Sequence, residues 1–160
     1  MIVRARSPAI SKGGGTLKRG ETLHEISYGA EAIKMSFLDL HRRAWALRCL
    51  REAKVSLTEA MGKEDIASLS HAVLALKRAQ SAIYHVLGGP EFVGLVVKRH
   101  VKHGKEDLDP LLRFLVEIEQ MIFDLSGTAV PRRDVFMRKA ASIVSTTEEI
   151  IKVMLDGEGV

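Results

Sequence analysis

The chain is poor in cysteine and in long apolar runs. Cys49 is the only cysteine among 160 residues, so an internal disulfide is excluded. No apolar run approaches the length that crosses a bilayer, and no apolar stretch follows the charged N-terminus as it would in a signal peptide. We expect a chain without a membrane span that is not exported by a signal peptide.

Amides and aromatic residues are also scarce. Asparagine is absent, and Gln80 and Gln120 are the only glutamines. This depletion, together with abundant Lys, Arg and Glu, is typical of heat-adapted proteins and predicts a thermophilic source. Aromatic residues make up 5% of the chain and Trp45 is its single tryptophan, which argues against a single-strand binder built on a series of stacking platforms.

Positive charge is concentrated at the N-terminus. The first twenty residues contain no acid and carry five of the 24 basic residues, which leaves 19 against 20 acidic residues in the remainder. The five are Arg4, Arg6, Lys12, Lys18 and Arg19. Pro8 and the run of glycines at 13–15 add little apolar area, so residues 1–21 are predicted to form a basic, glycine-rich arm. Such an arm favours a polyanionic partner, because Lys and Arg release counterions condensed on phosphates.

Helical periodicity begins directly after the arm. Thr22 and Glu25 have the spacing of a capping box. Apolar residues then recur at steps of three and four up to Leu47, and a second stripe on another face begins at Ala46. One helix over 22–61 would be about 60 Å long. We therefore predict a break or kink within 36–46, or a long helix whose two halves contact different partners.

The other segments also predict helices. The glycines at 88 and 89 with Pro90 end one helix, Asp109 and Pro110 begin another, and no segment has the pattern of a strand. The predicted fold class is all-α, an antiparallel helical bundle with a basic N-terminal arm and a long or kinked first helix. Residues 22–160 form one helical domain in this prediction, with 22–45 as a possible extended helical arm and 46–157 as the bundle.

No set of residues predicts a metal or another cofactor. Glu21 and His24 have the Glu-x-x-His spacing of di-iron bundles, but a second such motif is lacking. His100 and His103 lie among lysines and an arginine that would repel a dication. We interpret these two as part of a solvated basic helix end.

A second group of basic residues follows the apolar stripe of the first helix. Arg48, Arg51 and Lys54 continue the angular face that is apolar further upstream. This arrangement resembles the coat proteins of rod-shaped and filamentous archaeal DNA viruses. The resemblance implies a non-enzymatic protein of the virion or the cell interior that coats duplex DNA and assembles with copies of itself into a filament. The expected nucleic-acid contacts are the five basic residues of the arm together with Arg42, Arg43, Arg48, Arg51 and Lys54.

An alternative function comes from a second resemblance. The paired alanine-rich helices predicted within 44–87 look like the core of HEPN domains, helical bundles that act as RNases or as partners of nucleotidyltransferases. In that family an arginine, four to six residues and a histidine form a metal-independent RNase site. Arg78 and His85 have this spacing, so the resemblance implies that they are the catalytic pair. We expect both side chains on the outer face of their helix.

Overall fold

The computed structural model describes residues 19–103, 108–125 and 132–156, with side chains from Asp39 onward except that of His103. The described residues form five α-helices and no strand, which confirms the predicted all-α class. The helices are α1 Arg19–Met61, α2 Ile66–Leu87, α3 Pro90–His103, α4 Pro110–Asp124 and α5 Arg133–Asp156. Most of the predicted N-terminal arm lies outside the described residues.

Helix α1 runs without interruption from Arg19 to Met61, so of the two predicted alternatives the structure shows the long helix and not a break within 36–46. The chain contains neither glycine nor proline between Gly29 and Gly62, and nothing there interrupts the helix. Thr22 is likewise inside the helix and does not cap it. The chain divides into two compact units, Met1–Ser36 and Phe37–Val160. In the first unit residues 19–36 are helical, and the second contains the remaining described elements.

Alanine residues line the contact between the second half of α1 and α2. On α1, alanines seven residues apart are fully buried, and two of them, Ala53 and Ala60, pack in shared clusters with alanines of α2 and residues of α5. Small side chains allow two helix axes to approach closely. The buried alanines are Ala46, Ala53 and Ala60 on α1 and Ala72, Ala75, Ala79 and Ala82 on α2.

Helix α2 is packed on more than one side. It contacts α3, α4 and α5 in addition to α1. Leu76 and Ile83 are completely buried, the first beside Ile118 of α4 and the second beside Ile151 of α5. Ile66 is 86% exposed because it lies in the first turn of the helix.

Two predicted helix boundaries are confirmed. Gly88 and Gly89 have φ angles of 130° and 133°, a region that favours glycine, and they separate α2 from Pro90 at the start of α3. Asp109 is the N-cap of α4, where its carboxylate accepts a hydrogen bond of 2.9 Å from the backbone N–H of Leu111. These boundaries fix the α2–α3 corner and the start of α4.

Candidate functional site

A cluster of polar and aromatic side chains lies where α1 meets α2. We call it the Trp45 cluster. The α1 members follow steps of four, three and four, so they share one helical face, and the two α2 members are seven residues apart and also share a face. The cluster consists of His41, Trp45, Arg48 and Glu52 on α1 and Arg78 and His85 on α2.

The indole of Trp45 lies between two imidazoles. Its Nε1–H donates a hydrogen bond of 2.9 Å to Nε2 of His41, and the two ring centroids are 6.1 Å apart in an edge-on arrangement. The imidazole of His85 stacks on the same indole at a centroid distance of 6.0 Å and an interplanar angle of 22°. An accepting Nε2 carries no hydrogen, so His41 is neutral in this arrangement, with its proton on Nδ1.

His85 also favours the neutral form. Burial lowers its pKa from the ordinary value, because desolvation penalises the imidazolium, and the positive charge of His41, in the state in which that ring is protonated, lowers it further. An imidazole with a lowered pKa is unprotonated at neutral pH and can accept a proton. The two histidines therefore place two imidazole rings against a partly exposed indole, and the ring of His85 can accept a proton.

Two guanidinium groups complete the cluster through Glu52. Arg48 lies over Trp45, with its Cζ 5.0 Å from the ring centroid, and its Nε is 3.0 Å from Oε1 of Glu52. Nε of Arg78 is 3.5 Å from Oε2 of the same carboxylate. The hydrogen bond from Arg48 lowers the pKa of Glu52, and the charge of Arg78 contributes in the same direction. Glu52 thus stays ionised and joins both cations.

Arg78 is held more firmly than Arg48. It donates to the backbone carbonyl of Glu52 at 3.2 Å and to Oγ of Ser56 at 2.8 Å, and Ser56 is buried. The prediction that Arg78 and His85 lie on an outer face of α2 is therefore wrong, because both side chains are turned toward α1. Arg48 is far more exposed, and its guanidinium is the more accessible cation for a ligand.

Sequence reasoning missed His41 and Trp45 as members of the site. Their spacing with Arg48 was visible as one face of a helix. What the sequence does not show is the register of α1 on α2, which pairs Trp45 with His85 and Glu52 with Arg78. That register depends on the alanine contact between the two helices.

The predicted nucleic-acid contacts divide into two groups. Arg4, Arg6, Lys12 and Lys18 lie outside the described residues, and the side chain of Arg19 is not described. The other group, on the second half of α1, is described in full.

Most of that second group is paired within the chain. Nζ of Lys54 is 2.7 Å from Oε1 of Glu148, and Arg48 is paired with Glu52 as described above. Nη1 of Arg42 is 3.9 Å from Oδ1 of Asp39. The guanidinium of Arg43 donates a hydrogen bond of 3.0 Å to the backbone carbonyl of Leu155. Arg51 is exposed, and no ion pair to it is found in the described part of the chain. The stripe of cations is thus largely neutralised by acids of the same chain.

Cys49 lies beside the cluster but is not suited to act as a nucleophile. Burial raises the pKa of its thiol, and the carboxylate of Glu52 raises it further, so the thiol stays protonated. Among the side chains that the structure describes, no group of three or more from His, Cys, Asp and Glu is placed to hold a metal ion.

Comparison of the chain with known protein families, with curated proteins and with solved structures gives no match. Among the helices that the structure describes, none combines the length and the apolar character needed to cross a membrane.

Proposed function

We propose that the protein is a metal-independent RNase whose site is the Trp45 cluster. One observation supports this function best: two imidazoles, one of them with a lowered pKa, contact one indole beside an exposed guanidinium. Neutral and protonated imidazoles are the usual groups for moving protons near neutral pH. A nearby guanidinium stabilises negative charge on a phosphoryl group.

The proposed reaction is an internal transfer at an RNA phosphodiester. Neutral His85 takes the proton from a ribose 2′-hydroxyl, and the 2′-oxygen attacks the adjacent phosphorus. The bond from phosphorus to the 5′-oxygen breaks, and His41 in its imidazolium form gives that oxygen a proton. The products are a 2′,3′-cyclic phosphate and a 5′-hydroxyl. Because imidazolium has a hydrogen on Nε2, the bond from Trp45 opens when His41 takes up its proton.

The two arginines have different roles in this proposal. Arg48 supplies positive charge to the phosphate, since its guanidinium is exposed and lies over Trp45. Arg78 is a positioning residue, because its hydrogen bonds go to Glu52 and Ser56 of α1. It fixes the carboxylate of Glu52, which in turn orients Arg48. This differs from the pairing that the HEPN resemblance implies, in which the arginine of the motif belongs to the catalytic pair.

The test is cleavage of a 5′-labelled single-stranded RNA by the full chain in the presence of EDTA. DNA of the same sequence is the matched control, because it lacks the 2′-hydroxyl. We expect cleavage of RNA alone, with fragments ending in a 2′,3′-cyclic phosphate. Equal cleavage of the RNA and the DNA, or no cleavage of either at high protein concentration, contradicts the proposal.

A second candidate is a protein that coats nucleic acid without cleaving it. It is favoured by a specific feature, the five basic residues and no acid within residues 1–20. In this candidate a basic glycine-rich arm on an antiparallel helical bundle contacts phosphates of duplex DNA, and copies of the chain assemble along it in a virion or inside the cell. The pairing of Arg48 and Lys54 with acids makes the arm, and not α1, the main contact.

Deletion of residues 1–20 tests this second candidate. We expect loss of duplex binding and a flatter dependence of affinity on salt, since fewer counterions are released. Substitution of His85 should leave duplex binding unchanged. Full binding by the shortened chain contradicts the coating function, and it leaves the RNase proposal untouched.

A further inference from the structure

Helix α3 exposes an apolar ridge that continues into basic residues. Phe92 and Leu95 are 73% and 71% exposed, although both are large and apolar. Lys98 and Lys102 follow on the same helical face at steps of three and four, and both are exposed. In the described part of the chain neither lysine has an ion-pair partner among the acids. We call these four residues the α3 ridge.

The opposite face of α3 is fixed in the protein core. Val93 is 8% exposed and Val97 is completely buried, and both pack with Ile83 and Leu115. The ridge therefore points away from its own chain. Exposed apolar side chains grouped on one face, and not scattered, are typical of an interaction surface.

A groove between α4 and α5 is lined by apolar side chains. Its volume is about 600 Å³. Phe114 and Ile150 form part of its walls, and Val153 at its edge is 72% exposed. Ile150 and Met154 are only half-buried because they line this groove. The groove takes an apolar helix face of the kind that amphipathic helices present.

The ridge and the groove have opposite charge at their polar edges. Glu149 lines the groove and is exposed, and Glu117 is exposed one turn after Phe114 on α4. No cation pairs with either carboxylate within the described ranges. Even with Glu91 at its N-terminal end, the face of α3 that carries the ridge is net positive, and this charge complements the two carboxylates beside the groove.

We propose that the α3 ridge of one copy docks into the α4–α5 groove of a second copy of this chain. Phe92 and Leu95 enter the groove, and Lys98 and Lys102 lie beside Glu149 and Glu117. The contact joins two different surfaces, so each pair leaves one ridge and one groove free. Such a heterologous contact extends into an open chain or closes into a ring. The inference does not rest on the RNase proposal, and it uses no residue of the Trp45 cluster.

The test uses two variants that each remove one surface. Phe92→Asp places a charge on the ridge and Val153→Asp places one at the groove. We expect each variant to weaken self-association of the full chain by roughly tenfold or more, measured by light scattering during size-exclusion chromatography. Ile66→Asp is the matched control, because Ile66, at 86% exposed, is the most exposed large apolar residue among the described side chains and lies on neither surface. It should assemble as the wild type does.

A mixture of the Phe92→Asp and Val153→Asp variants gives the decisive result. Phe92→Asp retains an intact groove and Val153→Asp an intact ridge, so the mixture should form one junction and stop at a dimer of one copy of each. A wild type that stays monomeric at high concentration overturns the inference, as does assembly that neither variant weakens or a mixture that forms no dimer. Circular dichroism checks that both variants fold. If either does not, Lys98→Glu and Glu149→Lys variants replace the pair: each alone places like charges at the contact and should assemble less, and their mixture, which pairs opposite charges at both junctions, should regain the wild-type assembly.

Discussion

The indole of Trp45 on α1 stacks on the imidazole of His85 on α2, with ring centroids 6.0 Å apart and planes inclined by 22°. This contact joins the two helices that carry all the polar groups of the cluster. It also removes water from one face of the imidazole, consistent with the lowered pKa of His85. The stack therefore contributes both to packing and to the protonation state on which the proposed chemistry depends.

The first prediction concerns pH. Because the pKa of His85 is lowered in the fold, the unfolded chain binds this proton more readily, and stability falls as pH drops below the ordinary histidine value of about 6.5. His85→Phe keeps a ring on Trp45 but cannot titrate. We expect the wild type to lose unfolding free energy relative to this variant between about pH 7 and pH 5. Urea unfolding followed by Trp45 fluorescence measures it, and parallel pH profiles would contradict the lowered pKa.

The second prediction concerns Arg78 as a structural residue. Arg78→Ala removes hydrogen bonds to Glu52 and Ser56 and leaves the buried hydroxyl of Ser56 without this donor. We expect a loss of about 2 kcal/mol of unfolding free energy. Lys77→Ala removes an exposed cation from the neighbouring position and should cost less than about 0.5 kcal/mol. Chemical denaturation compares the two, and equal small losses would show that Arg78 does not hold α1 to α2.

The third prediction concerns the alanine contact. Ala53→Leu adds three carbons where the side chain is fully buried against Ala75 and Ala79, so we expect a cost of about 1–3 kcal/mol. Ala44→Leu makes the same change on an exposed position of α1 and should be nearly neutral. Thermal unfolding of both variants measures the difference. A neutral Ala53→Leu would mean that the two helices do not approach closely.

The sequence predicted more of the fold than of the site. Local signals in the sequence define four of the helices. These signals are the helical periodicity, the glycines at 88 and 89, and the cap at Asp109. The change of apolar face near Ala46 predicted either a break or one long helix with two different faces. The long helix forms, because no glycine or proline interrupts the chain between Gly29 and Gly62. The site requires the register of α1 on α2. That register comes from tertiary packing. The spacing of residues along the sequence therefore does not predict that His41 and Trp45 on α1 lie in one cluster with Arg78 and His85 on α2.

The fourth prediction concerns the start of α4. Asp109 accepts hydrogen bonds from the backbone N–H groups of Leu111 and Leu112, so Asp109→Ala leaves both donors without this partner. We expect a loss of about 1 kcal/mol of unfolding free energy, and Asp109→Ser should retain most of the stability because its hydroxyl also caps. Denaturant midpoints measure both variants. Equal losses for Ala and Ser would show that capping is not what Asp109 contributes.

The measurement that tests the central proposal most directly is the single-turnover rate of RNA cleavage in EDTA for the wild type and His85→Phe. The phenyl ring keeps the stack on Trp45 but lacks the nitrogen that accepts the proton. A loss of cleavage in this variant can therefore be distinguished from a loss of folding. We expect the variant to lose about 10²-fold or more in rate at neutral pH with an unchanged circular dichroism spectrum. His100→Ala, which changes a histidine outside the cluster, should retain the wild-type rate. A His85→Phe protein that cleaves RNA as fast as the wild type contradicts the proposed function.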